Sequence, residues 1–343
     1  MIERYLNPEI NSIWDDQNKF NTWKLVQEKY VETLEELDVA ENGIAKKINQ
    51  SVVQKDEVYK QEEITNHDLA SFVDILQKKV GEGSNWIHYG LTSSDIVDTA
   101  NSVLIMQSLD YVKDLVNDLL LTLQEKAVQE KDTLIIGRTH GVYAEETFLG
   151  NIFGNWHLEV ARGLNRLENS KNNISFGKLS GPVGNHSVVT SEMEKLTLEK
   201  LNLKPEQFAN QIVSRDRYAE VVSSLGILAT TYERIATNIR SYQRSEISEM
   251  FESFKDGQKG SSAMPHKKNP IGSERITGLA RIMRSYVSTS LENMVLWNER
   301  DISNSSVERI MLPDVFHLIS FMSIELNSIL KHLVINYEQI NVN

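Results

Sequence analysis

The sequence predicts an all-α protein, with a small N-terminal helical domain over residues 1–92 followed by an elongated bundle of five long helices over residues 93–343. Three observations lead there. Six prolines and 17 glycines in 343 residues leave long intervals in which nothing interrupts a helix. Inside those intervals the apolar residues step by three and four, the spacing that lines one helix face. The breaks between stripes are short and polar, several of them rich in glycine.

The elements follow in order. Residues 1–92 are charged and helical in pattern, and Trp86–Thr99, "WIHYGLTSSDIVDT", leads from them into the first long helix. Thr92 and Asp95 there have the spacing of a capping box, so a helix is expected to begin at that point. Its stripe is Val97, Ala100, Leu104, Val112, Leu115, Val116, Leu119 and Leu123. The break "GRTHGVYAEE" (Gly137–Glu146) precedes a second stripe, Phe148, Ile152, Trp156, Val160, Leu164 and Leu167. A Gly/Pro loop, "SGPVGNHS" (Ser180–Ser187), comes next, and "SRDRY" (Ser214–Tyr218) opens the third helix, striped from Val222 to Tyr242. The fourth stripe runs from Ile276 to Val287; "WNERDISNSSVER" (Trp297–Arg309) opens the last, striped from Val315 to Leu333 after Pro313.

Composition narrows the function. A chain that is 40% hydrophobic and 24% charged buries a substantial core. With no cysteine, it has no disulfide, thiolate metal site or cysteine nucleophile, which fits a reducing compartment. The N-terminus lacks a signal-peptide core, and no run of about 18 uncharged apolar residues occurs. A cytoplasmic protein without a membrane partner is expected. The net charge of −12 argues against a nucleic-acid surface, although a local basic pocket can still hold an anion. No metal or cofactor is expected.

Chemistry-bearing side chains concentrate at the helix ends. Single histidines are usually satisfied by backbone, and His157, His186, His317 and His332 have no polar company in sequence. The loops differ, because histidines, hydroxyls, amides and isolated Arg or Lys occur together there. Helix N-termini favour negative charge through unpaired N–H groups and the helix dipole, so the expected ligand is a small polyanion.

"GSSAMPHKKNP" (Gly260–Pro270) is similar to the GSSxMPxKxN signature of the fumarase/aspartase superfamily, a specific pattern with about ten ordered positions. Within that superfamily, "ERY" at Glu3–Tyr5, the His67–Asp68 pair, "HYGLTSSDIVDTA" and "GRTHG" resemble bacterial adenylosuccinate lyases, from Met1 to about Asn336. The resemblance implies β-elimination of fumarate from a succinylated purine nucleotide or imidazole ribotide. It also implies a homotetramer whose sites are built from loops of three subunits.

Residue by residue, the resemblance makes Ser261 the base and His140 the acid for the departing nitrogen, with His67, Lys267 and Glu274 assisting. Proton removal beside a carboxylate requires a base, an acid and preorganised positive groups. A serine acts as base only where the local field stabilises its alkoxide. Substrate binding is implied for Arg4, Tyr5, Asn66, Asp68, His88, Thr92, Ser93, Gln211, Ser262, Lys268, Asn269, Arg300, Ser305, Ser306 and Arg309. Gly257 and Gly260 give the serine segment the freedom of a lid.

Departures from the family pattern are Asn66 for arginine, Tyr143 for histidine, Glu146 for proline, and Asn298 and Asn304 for histidines. Relatives carry a further short helical domain after the bundle; with 343 residues, a chain without it is expected. Two alternatives stay open: another superfamily lyase of the argininosuccinate or carboxymuconate type, and an inactive nucleotide-binding homologue.

Overall fold

The computed structural model describes residues 1–254, 257, 264 and 267–343. Five helices cover the small N-terminal region: α1 (Pro8–Trp14), α2 (Asp16–Glu36), α3 (Ile44–Gln50), α4 (Lys55–Thr65) and α5 (Asp68–Val80). Then come α6 (Ser93–Gln129), the strands β1 (Leu134–Thr139) and β2 (Val142–Phe148), and α7 (Leu149–Ile174). β3 (Phe176–Gly177), α8 (Ser191–Lys200), β4 (Lys204–Pro205), α9 (Arg215–Tyr242) and β5 (Met250–Phe251) follow. The chain closes with α10 (Ile271–Glu292), α11 (Ser303–Lys331), β6 (Val334–Ile335) and α12 (Tyr337–Val342).

The five long helices are α6, α7, α9, α10 and α11, with 37, 26, 28, 22 and 29 residues. Their facing stripes form one apolar core, in which Val112, Val116, Trp156, Val160, Leu225, Tyr232, Met283 and Phe316 are almost wholly buried. A second core joins α2 to α5 with the first turns of α6 and with α8, around Phe20, Trp23 and Phe72. Those three rings meet edge-on or stacked at 5.2–6.1 Å. α11 is long and apolar enough to cross a membrane, yet 67% of its apolar window is buried against the bundle.

α6 begins as expected: the Thr92 backbone N–H donates to Asp95 Oδ2 at 2.7 Å, and Thr92 is the N-cap. Asp95 in turn receives the wholly buried Lys178 ammonium. Two local expectations are corrected. Gly137–Glu146 forms a two-stranded hairpin rather than a loop, with Thr139 paired to Val142 across a His140–Gly141 turn. Both turn residues take positive φ, 54° and 77°, which the tight right-twisted hairpin turn requires. The last long helix starts well before Pro313 and runs through it. Only the bond from residue 313 to the Arg309 carbonyl is lost there, and the buried stripe around it keeps the helix intact.

Candidate active site

Four helix N-termini converge on one cleft of about 260 Å³. α5 contributes His67 and Asp68, α6 contributes Thr92, Ser93 and Ser94, and α9 contributes Arg215 with Gln211 just ahead of it. α11 contributes Asn304, Ser305, Glu308 and Arg309, preceded by Arg300. Each N-terminus brings about half a positive charge to the cleft, a field that favours an anion there. Within it Arg309 donates to Asp68 Oδ2 at 2.5 Å and to Ser305 Oγ at 3.4 Å. Ser93 Oγ lies 3.4 Å from His67 Nε2, while His67 Nδ1 caps α5 by accepting the Ala70 N–H at 3.3 Å.

Beneath the cleft lies an ion cluster. Arg215, 4% exposed, donates to Glu308 at 2.7 and 3.0 Å and to Asp98 at 2.5 and 3.0 Å. Burial opposes its charge, but the Asp98 and Glu308 carboxylates outweigh that and hold the guanidinium well above its usual pKa. Asp98 also accepts the Val213 N–H at 2.8 Å, and Glu308 accepts amide donors from Asn293 at 3.1 Å and Asn304 at 3.0 Å. Asn304 Oδ1 accepts from Arg300 Nε at 3.1 Å, and Gln211 Oε1 accepts from Arg300 at 3.2 Å.

His140, Lys267 and Glu274, expected as catalytic groups, sit at the far end of the bundle. α6 starts in the cleft and its 37 residues reach about 55 Å before the hairpin begins. α9 likewise starts in the cleft, and its 28 residues reach about 42 Å. His140 is exposed at the hairpin tip. The Arg138 guanidinium beside it is bidentate to the buried Glu249 carboxylate, at 2.8 and 2.6 Å, and lies over the Tyr143 ring. Lys267, Lys268, Asn269 and Glu274 line an open groove with Arg240 and Arg244 at the end of α9. A second groove, which includes Arg138, Gly141 and Arg234, meets it at Ser241 and Arg244. Gly257 takes φ +77°. Ser261, Ser262 and Gly260 lie outside the described residues.

Of the residues expected to bind substrate, the cleft gathers Asp68, Thr92, Ser93, Gln211, Arg300, Ser305 and Arg309, together with His67. It does not gather Arg4, Tyr5, Asn66, His88 or Ser306. Tyr5 packs edge-on against Phe321 at 5.0 Å, and Arg4 is exposed beside it. Asn66 ends α4 at φ 51°, a left-handed position that asparagine tolerates better than arginine. Ser306 bonds weakly to the Ser303 carbonyl. His88 is held by Gln27, with Nδ1 2.9 Å from the amide nitrogen. Burial, followed by the neighbouring His67, lowers the His88 pKa to about 4, so its ring is neutral at pH 7 and brings no charge to a phosphate.

Sequence reasoning assigned no role to Asp98, Arg215, Asn304 or Glu308. The signal was available in "SRDRY", since an arginine in the first turn of a long helix meets an unfavourable dipole unless it is paired. Among the described residues no group of three His, Asp or Glu is arranged to hold a metal ion.

The class of protein, a lyase of the fumarase/aspartase superfamily, is shown by the family match and by the relatives of this chain, and the long helical core agrees with it. A family model described as Lyase matches residues 16–284. The fold is similar to 3-carboxy-cis,cis-muconate lactonizing enzyme from Pseudomonas putida, with TM-score 0.90 at 22% identity, over 99% of this chain and 78% of that one. More particular are two adenylosuccinate lyases. That of Thermotoga maritima is 42% identical over 100% of this chain and 80% of its own length. That of Aquifex aeolicus is 43% identical over 100% of this chain and 79% of its own. The chain belongs to the adenylosuccinate lyase family.

Proposed function

We propose that the protein eliminates fumarate from adenylosuccinate, leaving AMP, and from succinylaminoimidazole carboxamide ribotide (SAICAR), leaving AICAR. A proton leaves the carbon beside a carboxylate, the C–N bond breaks, and its electron pair stays on nitrogen, which is protonated as it departs. The step is redox-neutral and balances with a base and an acid alone. In this reading Ser261 takes the proton and His140 gives one to the leaving amine. Lys267, Asn269 and the helix-end cleft hold the anionic groups, where the Arg300 and Arg309 forks suit paired oxygens. The same reading puts the protein in the cytoplasm, with its lack of cysteine as support.

One observation carries the assembly. The His67 cleft and the His140 hairpin stand about 40–55 Å apart along one rigid bundle, a gap set by helix length that a nucleotide cannot bridge. A site using both groups therefore takes them from different subunits, which supports a homotetramer with shared sites. The exposed hairpin strands and the exposed Ile282, Ile310 and Ile324 on the long helices suit that assembly.

The experiment follows fumarate release by absorbance with adenylosuccinate, then mixes His67→Ala and His140→Ala proteins. Each alone is expected to be inactive. A 1:1 mixture regains about a quarter of wild-type activity, the share of sites that draw both groups from intact subunits. Subunit exchange verified by mass spectrometry with no activity recovered would overturn the shared site. AMP binding by a wild-type protein that turns nothing over would favour the inactive nucleotide-binding alternative.

A further inference from the structure

We propose that Asn304 is a positioning residue: it holds Arg300 ready for an oxyanion of the ligand while keeping that guanidinium from collapsing onto Glu308. The identity of the ligand rests on the function proposed above; the geometry does not.

Arg300 precedes α11 in an irregular segment, where a long side chain has no helical register to fix it. Asn304, at 1% exposure, stands between Arg300 and Glu308, which follows four residues later. Its amide is bifunctional. Oδ1 accepts from the Arg300 Nε–H at 3.1 Å, and Nδ2 donates to Glu308 Oε1 at 3.0 Å. A primary amide carries its acceptor and its donors on separate atoms, so it accepts from a guanidinium and donates to a carboxylate together without carrying charge. Glu308 is itself immobile, gripped by Arg215 and Asn293.

Charge explains why the spacer is neutral. Asp98 and Glu308 bring two negative charges against the single positive charge of Arg215, so the buried cluster keeps an excess of negative charge. Arg300 is drawn towards it. A direct ion pair with Glu308 would use the fork that a ligand needs, whereas the amide passes on the attraction and stops the approach. Gln211 takes a second donor at 3.2 Å. Two of the five guanidinium donors thus frame the group, and those remaining serve a bidentate oxyanion in the cleft.

The test compares wild type, Asn304→Leu, Arg300→Lys and the double variant; leucine keeps the asparagine shape without its hydrogen bonds. For Asn304→Leu we expect KM for adenylosuccinate to rise about tenfold, with kcat within about threefold, because the contact serves ground and transition states alike. The double variant is expected to be no worse than Arg300→Lys alone, since the two residues act through one contact. Calorimetric titration with AMP and with fumarate distinguishes the oxyanion: weakened AMP binding assigns Arg300 to phosphate, and weakened fumarate binding assigns it to a carboxylate. Multiplicative effects in the double variant, or unchanged affinity for both probes, would overturn the proposal. So would a lowered melting temperature with KM unchanged, the mark of a purely structural residue. An inactive wild type that still binds AMP would count against the proposed activity alone, and the titrations would still decide the role of Asn304.

Discussion

Replacing Arg215 by methionine removes the cation from the buried cluster and leaves two carboxylates facing one another. The wild-type side chain makes two hydrogen bonds to each of Glu308 and Asp98, at 2.5–3.0 Å, with almost no solvent access. Removing one partner of such a network is destabilising by about 3–5 kcal/mol, because the remaining charge stays buried without compensation. Unfolding entropy of ~2.1 cal/mol/K per residue gives about 0.7 kcal/mol/K for a chain of 343 residues, so the melting temperature should fall by about 4–7 °C. Scanning calorimetry at matched protomer concentration, at pH 7.5, reads this directly. The pH dependence carries a sign. Without Arg215 one of the two carboxyls is forced to a raised pKa in the folded state, so the folded variant binds a proton that the unfolded chain does not. The variant's deficit should therefore be largest near neutral pH and shrink towards pH ~5, where that proton is taken up. A shift below about 1 °C, or a deficit constant with pH, would refute the claim that this cluster braces the cleft.

Two further outcomes are expected. His88 has a folded pKa of about 4 against an ordinary 6.5, so its contribution to stability is complete above 6.5 and is lost as pH falls towards 4. Urea midpoints of wild type should thus decline more steeply over that interval than those of His88→Asn; parallel curves would contradict the burial argument. Gly184 has φ +74°, and an added Cβ would lie 2.0 Å from the Ala209 carbonyl oxygen, two residues from Gln211. Gly184→Ala should cost more than 2 kcal/mol, whereas Gly43→Ala, at φ +97° with open space around it, should cost only about 1 kcal/mol of backbone strain. Equal losses by chemical denaturation would show that the clash relaxes away.

The long helices were legible because their cause is local. Val112, Leu119, Trp156, Val160, Leu225 and Tyr232 recur at helical spacing, and each is buried where that spacing puts it. The Thr92–Asp95 cap was legible for the same reason, since both halves lie within four residues. The hairpin was missed although its signs were present: an apolar Leu134–Ile136 run, a His-Gly turn and a Val142–Phe148 run rich in β-formers. Read as a catalytic motif, the segment was not read as strand. That Arg215 needs a partner was signalled by its place in "SRDRY", but which partners it takes was illegible, since Asp98 lies 117 residues from it and Glu308 93, and only packing brings them together. The departures at Tyr143 and Asn304 likewise acquire a reason only from neighbours, the Arg138 guanidinium and the Arg300–Glu308 pair.

By itself the sequence determined the helical class, the stripes that close the bundle and a set of polar residues at helix ends, because periodicity and capping act over a few residues. Only the tertiary structure decided which of those residues share a cleft. It set His67, Ser93, Arg300 and Arg309 together and His140 with Lys267 at the other end, because a helix is rigid and its length, about 1.5 Å per residue, becomes distance between the groups at its two ends.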